Sequence, residues 1–149
     1  MVIVTPTSQP FDPEEFFRFS ATITRDPTAD EARLRSAISR AYHATHLIAR
    51  DRLFGLDARL FSKSVKKAIR RKIAGDVGSH ALIIFAVSEK SKTVGQQLGQ
   101  LKDARVIADY KLDQKHLAAA GKNSWRDYAE ETLALASQVL PSVKRLPRY

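Results

Sequence analysis

The sequence predicts an all-α protein, an antiparallel up-and-down bundle of four to five helices. The first observation is a long amphipathic segment from Thr28 to Phe54, in which apolar residues recur at the three-and-four spacing of a buried helical stripe. The second is that capped helical segments flank it, without strand pairs, hairpin signals or internal repeats. Because a helix of this length normally packs among others, a bundle is the simplest architecture.

The composition indicates one soluble domain. The chain has 149 residues, 44% of them hydrophobic, which suffices for one modest core. We expect a single domain over residues 1–149, with residues 1–10 as a flexible N-terminal segment. No apolar run has the length of a membrane span and the first residues lack a signal-peptide pattern, so we expect a cytoplasmic protein. The absence of cysteine excludes disulfides and thiolate metal sites.

Capping residues and periodicity predict the first two helices. Asp12 before Pro13 begins a short aromatic helix that runs toward Thr24. Thr28 and Glu31 form a capping-box pattern at the start of the long second helix. The stripe of this helix that we expect to be buried consists of Leu34, Ala37, Ile38, Ala41, Tyr42, Thr45, Ile48, Ala49 and Leu53.

Two apolar segments follow in the second half of the chain. The run from Ser79 to about Lys92 predicts a buried helix, although residues 81–87 could alternatively form a strand. The segment Val94 to Ala108 has helical periodicity, which Gly95 and Gly99 weaken.

The C-terminal part is predicted to contain one more helix. The segment Tyr110 to Lys122 is interpreted as a connection. Ser124 followed by Asp127 caps a last helix, which we expect to end at Pro141. Trp125 in its first turn is assigned to the core or to an interface.

The net charge of +9 is unevenly placed. Between Asp57 and Asp76 there are seven lysine and arginine residues and no acidic residue, and apolar residues recur at helical spacing. This pattern predicts a basic amphipathic helix that attracts a polyanion such as RNA, DNA or anionic lipid, while a solvated charged face is the alternative. The residues assigned to nucleic-acid binding are Lys63, Lys66, Lys67, Arg70 and Arg71.

Two of the four histidines lie on the long helix. Helical geometry places Ser36, Arg40, His43, Leu47 and Arg50 opposite the buried stripe, with His46 at the edge. This mixed face predicts contact with another helix or a second subunit, and a boundary helix with satisfied polar groups is the alternative. His43 and His46 are three residues apart, but no carboxylate pattern completes a metal site, so no metal is expected.

Three blocks of the sequence, in order, resemble the small HEPN-domain family of prokaryotes. They are the run Leu34 to Ala44, then Gly78-Ser79-His80 with Phe85, and then Leu101 to Arg105 leading into Ala108-Asp109-Tyr110. The resemblance covers roughly residues 30–140, and the last helix fits the family's closing helix. It implies an up-and-down helical bundle, frequent dimerisation and often RNA cleavage without metal. Many members are encoded beside small nucleotidyltransferases that neutralise them, and some have no demonstrated activity.

The nuclease motif of that family is an arginine followed by a histidine after four to six residues, and in this chain Arg40 and His46 satisfy it. The resemblance implies that Arg40 holds the phosphate charge while an imidazole, of His46 or His43, moves a proton. The two motif side chains lie ~120° apart around one helix. We therefore expect a homodimer to bring Arg40 of one protomer toward His46 or His43 of the other. The alternative is that Arg40 and Tyr42 are bundle-interface residues and His46 a boundary histidine.

Four residues are secondary candidates. His80 either packs within its helix or acts as a third catalytic member. Arg105 and Asp109, four residues apart, predict an ion pair at a helix end, which could orient groups in a shared cleft. Tyr110 is a candidate for modification by a nucleotidyltransferase partner.

Two functional hypotheses follow from the sequence. The first is a dimeric, metal-independent endoribonuclease of toxin-antitoxin or defence type that needs no cofactor and grips RNA through its basic helix. The second is a non-catalytic HEPN module that binds nucleic acid or a nucleotidyltransferase-type partner protein through the same surfaces.

Overall fold

The computed structural model confirms the predicted all-α bundle. It describes residues 11–54, 67, 79–111 and 113–148, and the regular structure in these ranges is helical throughout. The elements are α1 (Glu14–Arg25), α2 (Glu31–Phe54), α3 (Ser79–Lys90), α4 (Lys92–Tyr110), α5 (Gln114–Ala119) and α6 (Trp125–Lys144). The strand considered over residues 81–87 does not form, because these residues lie within α3.

The long helix α2 lies at the centre of the bundle and packs against α1, α3, α4 and α6. Its predicted stripe is buried, apart from the half-buried Ile48. Ser39, Ala44 and His46 are buried as well, so α2 is enclosed on more than one side. The strip that stays exposed or half-buried consists of Ser36, Arg40, His43, Leu47 and Arg50.

Contacts at the helix ends define the direction of the neighbours of α2. Arg35 near the start of α2 donates to the carbonyl of Ala108 near the end of α4, so these helices run antiparallel. The guanidinium of Arg35 also lies 4.6 Å from the ring centre of Trp125, at the start of α6. At the other end of α2, Arg52 donates to the carbonyl of Leu146, just beyond α6. Helices α2 and α6 therefore run in the same direction.

The apolar core has two parts. The larger part lies between α2, α3, α4 and α6, and the smaller part surrounds Trp125. Trp125 is buried, as predicted. The fully buried members of the larger part include Ala41, Tyr42, Ala86, Val87, Leu98, Leu101, Ala136, Val139 and Val143.

Three arginines cap the C-terminal ends of other helices. The last carbonyls of a helix have no partner within it, and a cation there also interacts favourably with the helix dipole. The bonds run from Arg35 to the carbonyls of Ala108 (2.7 Å) and Lys111 (2.8 Å), from Arg126 to those of Thr24 (3.0 Å) and Asp26 (2.8 Å), and from Arg52 to that of Leu146 (2.6 Å).

The caps at the starts of the helices agree with the sequence except at α2. Asp12 accepts from the amide of Glu14, and Ser124 accepts from the amide of Asp127 at 3.0 Å, as predicted. The predicted capping box of α2 at Thr28 is wrong, because Asp30 accepts from the amide of Arg33 at 2.9 Å. Asp30 directly precedes α2, where its carboxylate reaches the third helical amide. The hydroxyl of Thr28 instead donates to Asp26.

Two boundaries in the C-terminal part differ from the prediction. The connection predicted over residues 110–122 contains α5, whose buried Leu117 packs with the residues around Trp125. The last helix does not end at Pro141 but continues to Lys144. Val139, Leu140 and Val143 are buried on either side of this proline, so tertiary packing maintains the helix despite the missing amide hydrogen.

The predicted basic helix lies outside the described residues apart from Lys67, which is exposed and helical. Within the part of the chain that the structure describes, no helix is both long and apolar enough to cross a membrane.

Substitutions of two glycines in α4 are expected to change stability in opposite directions. A Cβ on Gly95 would lie 2.8 Å from the Cα of Ser88, while one on Gly99 would meet no atom within 4 Å. Alanine at position 99 should raise the free energy of unfolding by about 0.5–1 kcal/mol, because alanine is the better helix former. Alanine at position 95 should lower it by about 1–3 kcal/mol, because α3 and α4 must move apart.

Urea denaturation of the wild type, Gly95→Ala and Gly99→Ala measures both effects under identical conditions. Equal shifts in the two variants would contradict the close approach of α3 and α4 at Gly95.

Candidate active site

The site lies where α2, α3 and α4 meet, around the side chain of Tyr42. Tyr42 on α2 is fully buried, and its hydroxyl is 2.7 Å from Nδ1 of His80 in the first turn of α3. The same hydroxyl lies 3.5 Å from Nδ1 of His46, one turn further along α2. A buried hydroxyl requires a hydrogen-bond partner, so these imidazoles satisfy a polar group that the core would otherwise leave unpaired.

The imidazoles of His43, His46 and His80 surround Tyr42, and these four residues are here called the histidine cluster. The rings of His46 and His80 are stacked, with centroids 4.4 Å apart and planes inclined by 28°. The ring of His43 meets that of His80 edge-on at 6.2 Å. His46 is only 7% exposed, whereas His43 and His80 are half-buried. A ligand from solvent would therefore meet His43 and His80 before His46.

The two contacts of the Tyr42 hydroxyl form a chain through the cluster. A phenol can donate one proton and accept another hydrogen bond. In one order, Nδ1–H of His80 donates to Tyr42, and Tyr42 donates to Nδ1 of His46. In the other order, both bonds are reversed. In either order Nε2 of His80 is the nitrogen left for a further partner.

Arg105 on α4 supplies the positive charge next to the cluster. Its guanidinium carbon lies 5.9 Å from the ring centre of Tyr42. Its Nε is 3.2 Å from Oδ2 of Asp109, which confirms the predicted ion pair. That buried Nε nevertheless has no hydrogen-bond partner among the described residues, so the contact with Asp109 lacks hydrogen-bond geometry. Asp109 also accepts a hydrogen bond of 3.1 Å from the hydroxyl of Ser39.

Burial and the nearby positive charges keep the three imidazoles neutral. Burial lowers the pKa of His46 to about 3, and the other two histidines act in the same direction. Burial, followed by the charge of Arg105, lowers the pKa of His43 and of His80. The carboxylate of Asp109 opposes this shift at His43. At neutral pH the cluster therefore contains neutral imidazoles beside a guanidinium.

Burial also raises the pKa of Tyr42, so its phenol stays protonated. Arg105 opposes this shift but does not overcome it. Tyr42 is therefore a neutral hydrogen-bonding group between two imidazoles.

Arg40 and Phe16 form the α1 side of the site. The guanidinium carbon of Arg40 lies 4.8 Å from the ring centre of Phe16, whose centroid is 6.4 Å from that of His43. The positive charge of Arg40 is one of the causes that lower the pKa of His43. The charge of Arg40 thus lowers the pKa of His43 within a single chain.

The structure brings most of the predicted site residues together. His43, His46 and His80 belong to the cluster, and Arg105 and Asp109 lie against it. Tyr110 is 64% exposed, with the guanidinium carbon of Arg105 5.5 Å from its ring centre. Arg40 contacts Phe16 rather than His46, the other residue of the predicted motif. Of the predicted nucleic-acid-binding residues, Lys63, Lys66, Arg70 and Arg71 lie outside the described residues, and Lys67 is exposed.

Tyr42 and Phe16 belong to the site, although the sequence does not predict a role in it for either residue. Tyr42 belongs to the predicted buried stripe of α2, and its spacing of four from His46 puts both side chains on one helix face. The position of Phe16 beside His43 depends on how α1 packs on α2, for which the sequence carries no local signal.

Across residues 11–54, 79–111 and 113–148, no group of three histidine, aspartate or glutamate side chains is arranged to hold a metal ion. The histidine cluster instead places two of its imidazoles face to face, which differs from a set of nitrogens converging on one ion.

The protein is expected to become less stable as the pH is lowered beneath about 6.5, the ordinary pKa of a histidine in an unfolded chain. His46 stays neutral in the folded protein down to its lowered pKa of about 3, so acid protonates the unfolded chain first. This contribution is complete above pH 6.5 and is lost as the pH falls toward the folded pKa. Between pH 7 and pH 5 it should lower the free energy of unfolding by about 2 kcal/mol.

Urea denaturation at both pH values, with wild type and His46→Gln, tests this dependence. The variant should lose the part of the pH slope that His46 causes, about 2 kcal/mol between pH 7 and pH 5, and keep the part due to His43 and His80, whose pKa is also lowered. His116→Gln, which replaces an exposed histidine on α5, should keep the whole slope. The same slope in His46→Gln as in wild type would contradict the proposed cause.

No protein-family model, no curated protein and no solved structure matches the chain. The relation to the HEPN family therefore stays a prediction from the sequence.

Proposed function

We propose that this chain is a metal-independent endoribonuclease in which His43 and His80 transfer protons at a phosphodiester. The observation that carries the proposal is the pair of half-buried imidazoles, 6.2 Å apart between ring centres, beside the guanidinium of Arg105. Two imidazoles and a cation are the groups that RNA cleavage without metal requires, because one proton must leave the 2′-hydroxyl and another must reach the 5′-oxygen.

His80 is assigned the role of general base. When Nδ1–H of His80 donates to Tyr42, its Nε2 carries a lone pair that can accept the proton of the 2′-hydroxyl. The 2′-oxygen then attacks phosphorus, the bond from phosphorus to the 5′-oxygen breaks, and a 2′,3′-cyclic phosphate forms. The lowered pKa of His80 keeps this imidazole unprotonated at neutral pH, as a base requires.

His43 is assigned the role of general acid, which donates a proton to the leaving 5′-oxygen. Its pKa is lowered in the free protein, but a bound phosphodiester brings a negative charge that favours the protonated imidazole. Asp109 acts on His43 in the same direction. Substrate binding would thus favour the protonated imidazole of His43, the acid, while His80, the base hydrogen-bonded to Tyr42, stays neutral.

Arg105 and Arg40 are assigned to the phosphate. The charge of Arg105 acts on both His43 and His80, and Arg40 is exposed next to His43. Guanidinium groups stabilise the charge that develops on the phosphate oxygens in the transition state. His46 supports the cluster by stacking on His80 and bonding to Tyr42, rather than by contact with the substrate.

The remaining parts of the proposal come from the sequence. The basic segment with Lys63, Lys66, Lys67, Arg70 and Arg71 would hold the RNA backbone. The HEPN resemblance supports a role in toxin-antitoxin or defence systems, a homodimer, and neutralisation by a nucleotidyltransferase-type partner. Because Arg40 acts on His43 within one chain, a dimer is not needed to combine these two groups.

A non-catalytic module is the second candidate function. The observation that favours it is the 2.7 Å bond between Tyr42 and His80, which by itself satisfies a buried phenol and so gives His80 a structural role. In that case the same surface would bind nucleic acid or a partner protein without cleaving it.

The test of the nuclease is cleavage of single-stranded RNA in EDTA. The wild type should release products with 2′,3′-cyclic phosphate ends, and His43→Gln and His80→Gln should each slow cleavage by about 10²–10⁴-fold, the usual contribution of a general acid or base. Arg40→Ala should also slow cleavage, by about 10–100-fold, as expected for an exposed phosphate contact.

His116→Gln is the matched control, because it removes an imidazole that is exposed on α5 and should retain wild-type activity. Circular dichroism of each variant verifies that the bundle is intact. Absence of cleavage by the wild type, or equal rates in the wild type and both cluster variants, would overturn the nuclease and leave the binding module.

A further inference from the structure

We propose that exposed aromatic rings on the two sides of the histidine cluster stack the unpaired nucleobases of a single-stranded RNA. The inference rests on the proposed function, since it takes the cluster as the place where the phosphodiester lies. It adds the substrate class and the residues that position it.

Three large apolar side chains stand out as exposed among the described residues. They are Phe11, Phe19 and Tyr110, with 54%, 46% and 64% of their surface accessible. Single exposed apolar residues are common and need no explanation. Phe11 and Tyr110, however, each contact a group that belongs to the surroundings of the histidine cluster.

On the α1 side, the rings form a continuous series that leads to the cluster. The ring of Phe11 lies 4.7 Å from that of Phe16, and the ring of Phe16 lies 6.4 Å from that of His43. The guanidinium of Arg40 covers Phe16 at 4.8 Å. An exposed ring, a cation and an imidazole therefore follow one another along this side.

On the α4 side, the order is similar. Tyr110 is the last residue of α4. The guanidinium carbon of Arg105 lies 5.5 Å from the ring centre of Tyr110 and 5.9 Å from that of Tyr42. Arg105 thus lies between an exposed ring and the buried phenol of the cluster.

This alternation of rings and cations matches the alternation of bases and phosphates in a nucleic-acid strand. Proteins that bind single strands combine positive charge along the backbone with aromatic side chains on which successive bases stack. Bases in a duplex are already stacked on one another, so a single strand is the form that uses such rings. The net charge of +9 favours a polyanion over an apolar peptide as the occupant of this surface.

The experiment measures binding separately from cleavage. The probe is a fluorescein-labelled oligoribonucleotide of about ten nucleotides and mixed sequence, a length within the usual range of single-strand sites. Its riboses carry 2′-fluoro groups, so the probe cannot be cleaved through a 2′-hydroxyl. Fluorescence anisotropy gives the dissociation constant for each variant of the full chain.

Phe11→Ala and Tyr110→Ala should each weaken binding at least about fivefold, which is the low end for the loss of one stacked base. Phe19→Ala is the matched control, because it likewise removes an exposed ring, one that lies on α1 and has no described ring contact to the cluster. It should bind like the wild type. All three side chains are exposed, so their removal leaves the core intact.

A second probe, with the same phosphates but abasic sites in place of the bases, isolates the stacking. A double variant carries both Phe11→Ala and Tyr110→Ala. The affinity of the wild type for the abasic probe should be about as low as the affinity of this double variant for the complete oligonucleotide. Unchanged affinity of both single variants, or equal affinity of the wild type for the two probes, would overturn the proposal.

The outcomes distinguish this inference from the proposed function. Base-dependent binding that requires Phe11 and Tyr110, without cleavage of unmodified RNA, would support the stacking sites and refute the nuclease. Cleavage that depends on His43 and His80, with no effect of the aromatic substitutions on binding, would support the nuclease and refute the stacking sites.

Discussion

The hydroxyl of Tyr42 is the constraint on which the rest of the site depends. It lies in the core of the bundle, on the central helix, where an unpaired hydroxyl would cost about 1–3 kcal/mol. Among the described residues it is bonded to Nδ1 of His80 and Nδ1 of His46. Because His80 belongs to the first turn of α3, this bond fixes the start of α3 against the middle of α2. One buried polar atom thus links α2 to the start of α3 and brings two of the imidazoles of the cluster together.

The same arrangement explains why the cluster is neutral although Arg105 lies beside it. Taking an imidazolium out of water is unfavourable, and a neighbouring guanidinium adds repulsion, so each histidine gives up its proton instead. The charge of Arg105 cannot be removed in this way, because a guanidinium stays protonated. It is balanced within the chain by Asp109 through a contact without hydrogen-bond geometry. An anion that enters beside His43 and His80 would find a cation that is only partly neutralised.

Much of the fold could be predicted from local sequence patterns. The buried stripe of α2, the start of α1 and the cap of α6 at Ser124 each depend on residues a few positions apart, and the structure has them as expected. The capping box at Thr28 was a local error, because Asp30 caps α2 instead. The two errors in the C-terminal part arise where tertiary packing decides. Leu117 gives α5 its place in the core, and buried residues on both sides of Pro141 extend α6 beyond it.

The sequence predicted most of the residues of the site, but not the contacts between residues that are far apart in the chain. Spacing along α2 places His43 and His46 near each other, and the distance of four between Arg105 and Asp109 predicts their ion pair. No local pattern links Tyr42 to His80, which are 38 positions apart in the chain. Helical geometry puts Arg40 and His46, the two residues of the sequence motif, on different faces of α2, and within the single chain Arg40 lies over Phe16. Their pairing across a dimer stays a prediction.

Arg35, which caps the C-terminal end of α4, helps to hold the residues of the site in place. Arg35 bonds to the carbonyls of Ala108 and Lys111, which lie on either side of Asp109 and Tyr110. The last turn of a helix frays easily when its carbonyls lack partners. By holding these carbonyls, Arg35 keeps the end of α4 against α2, and Asp109 within reach of Ser39 and Arg105. Arg35 therefore helps to position the carboxylate of Asp109, which acts on His43, and the exposed ring of Tyr110. It lies on α2, two turns before His43.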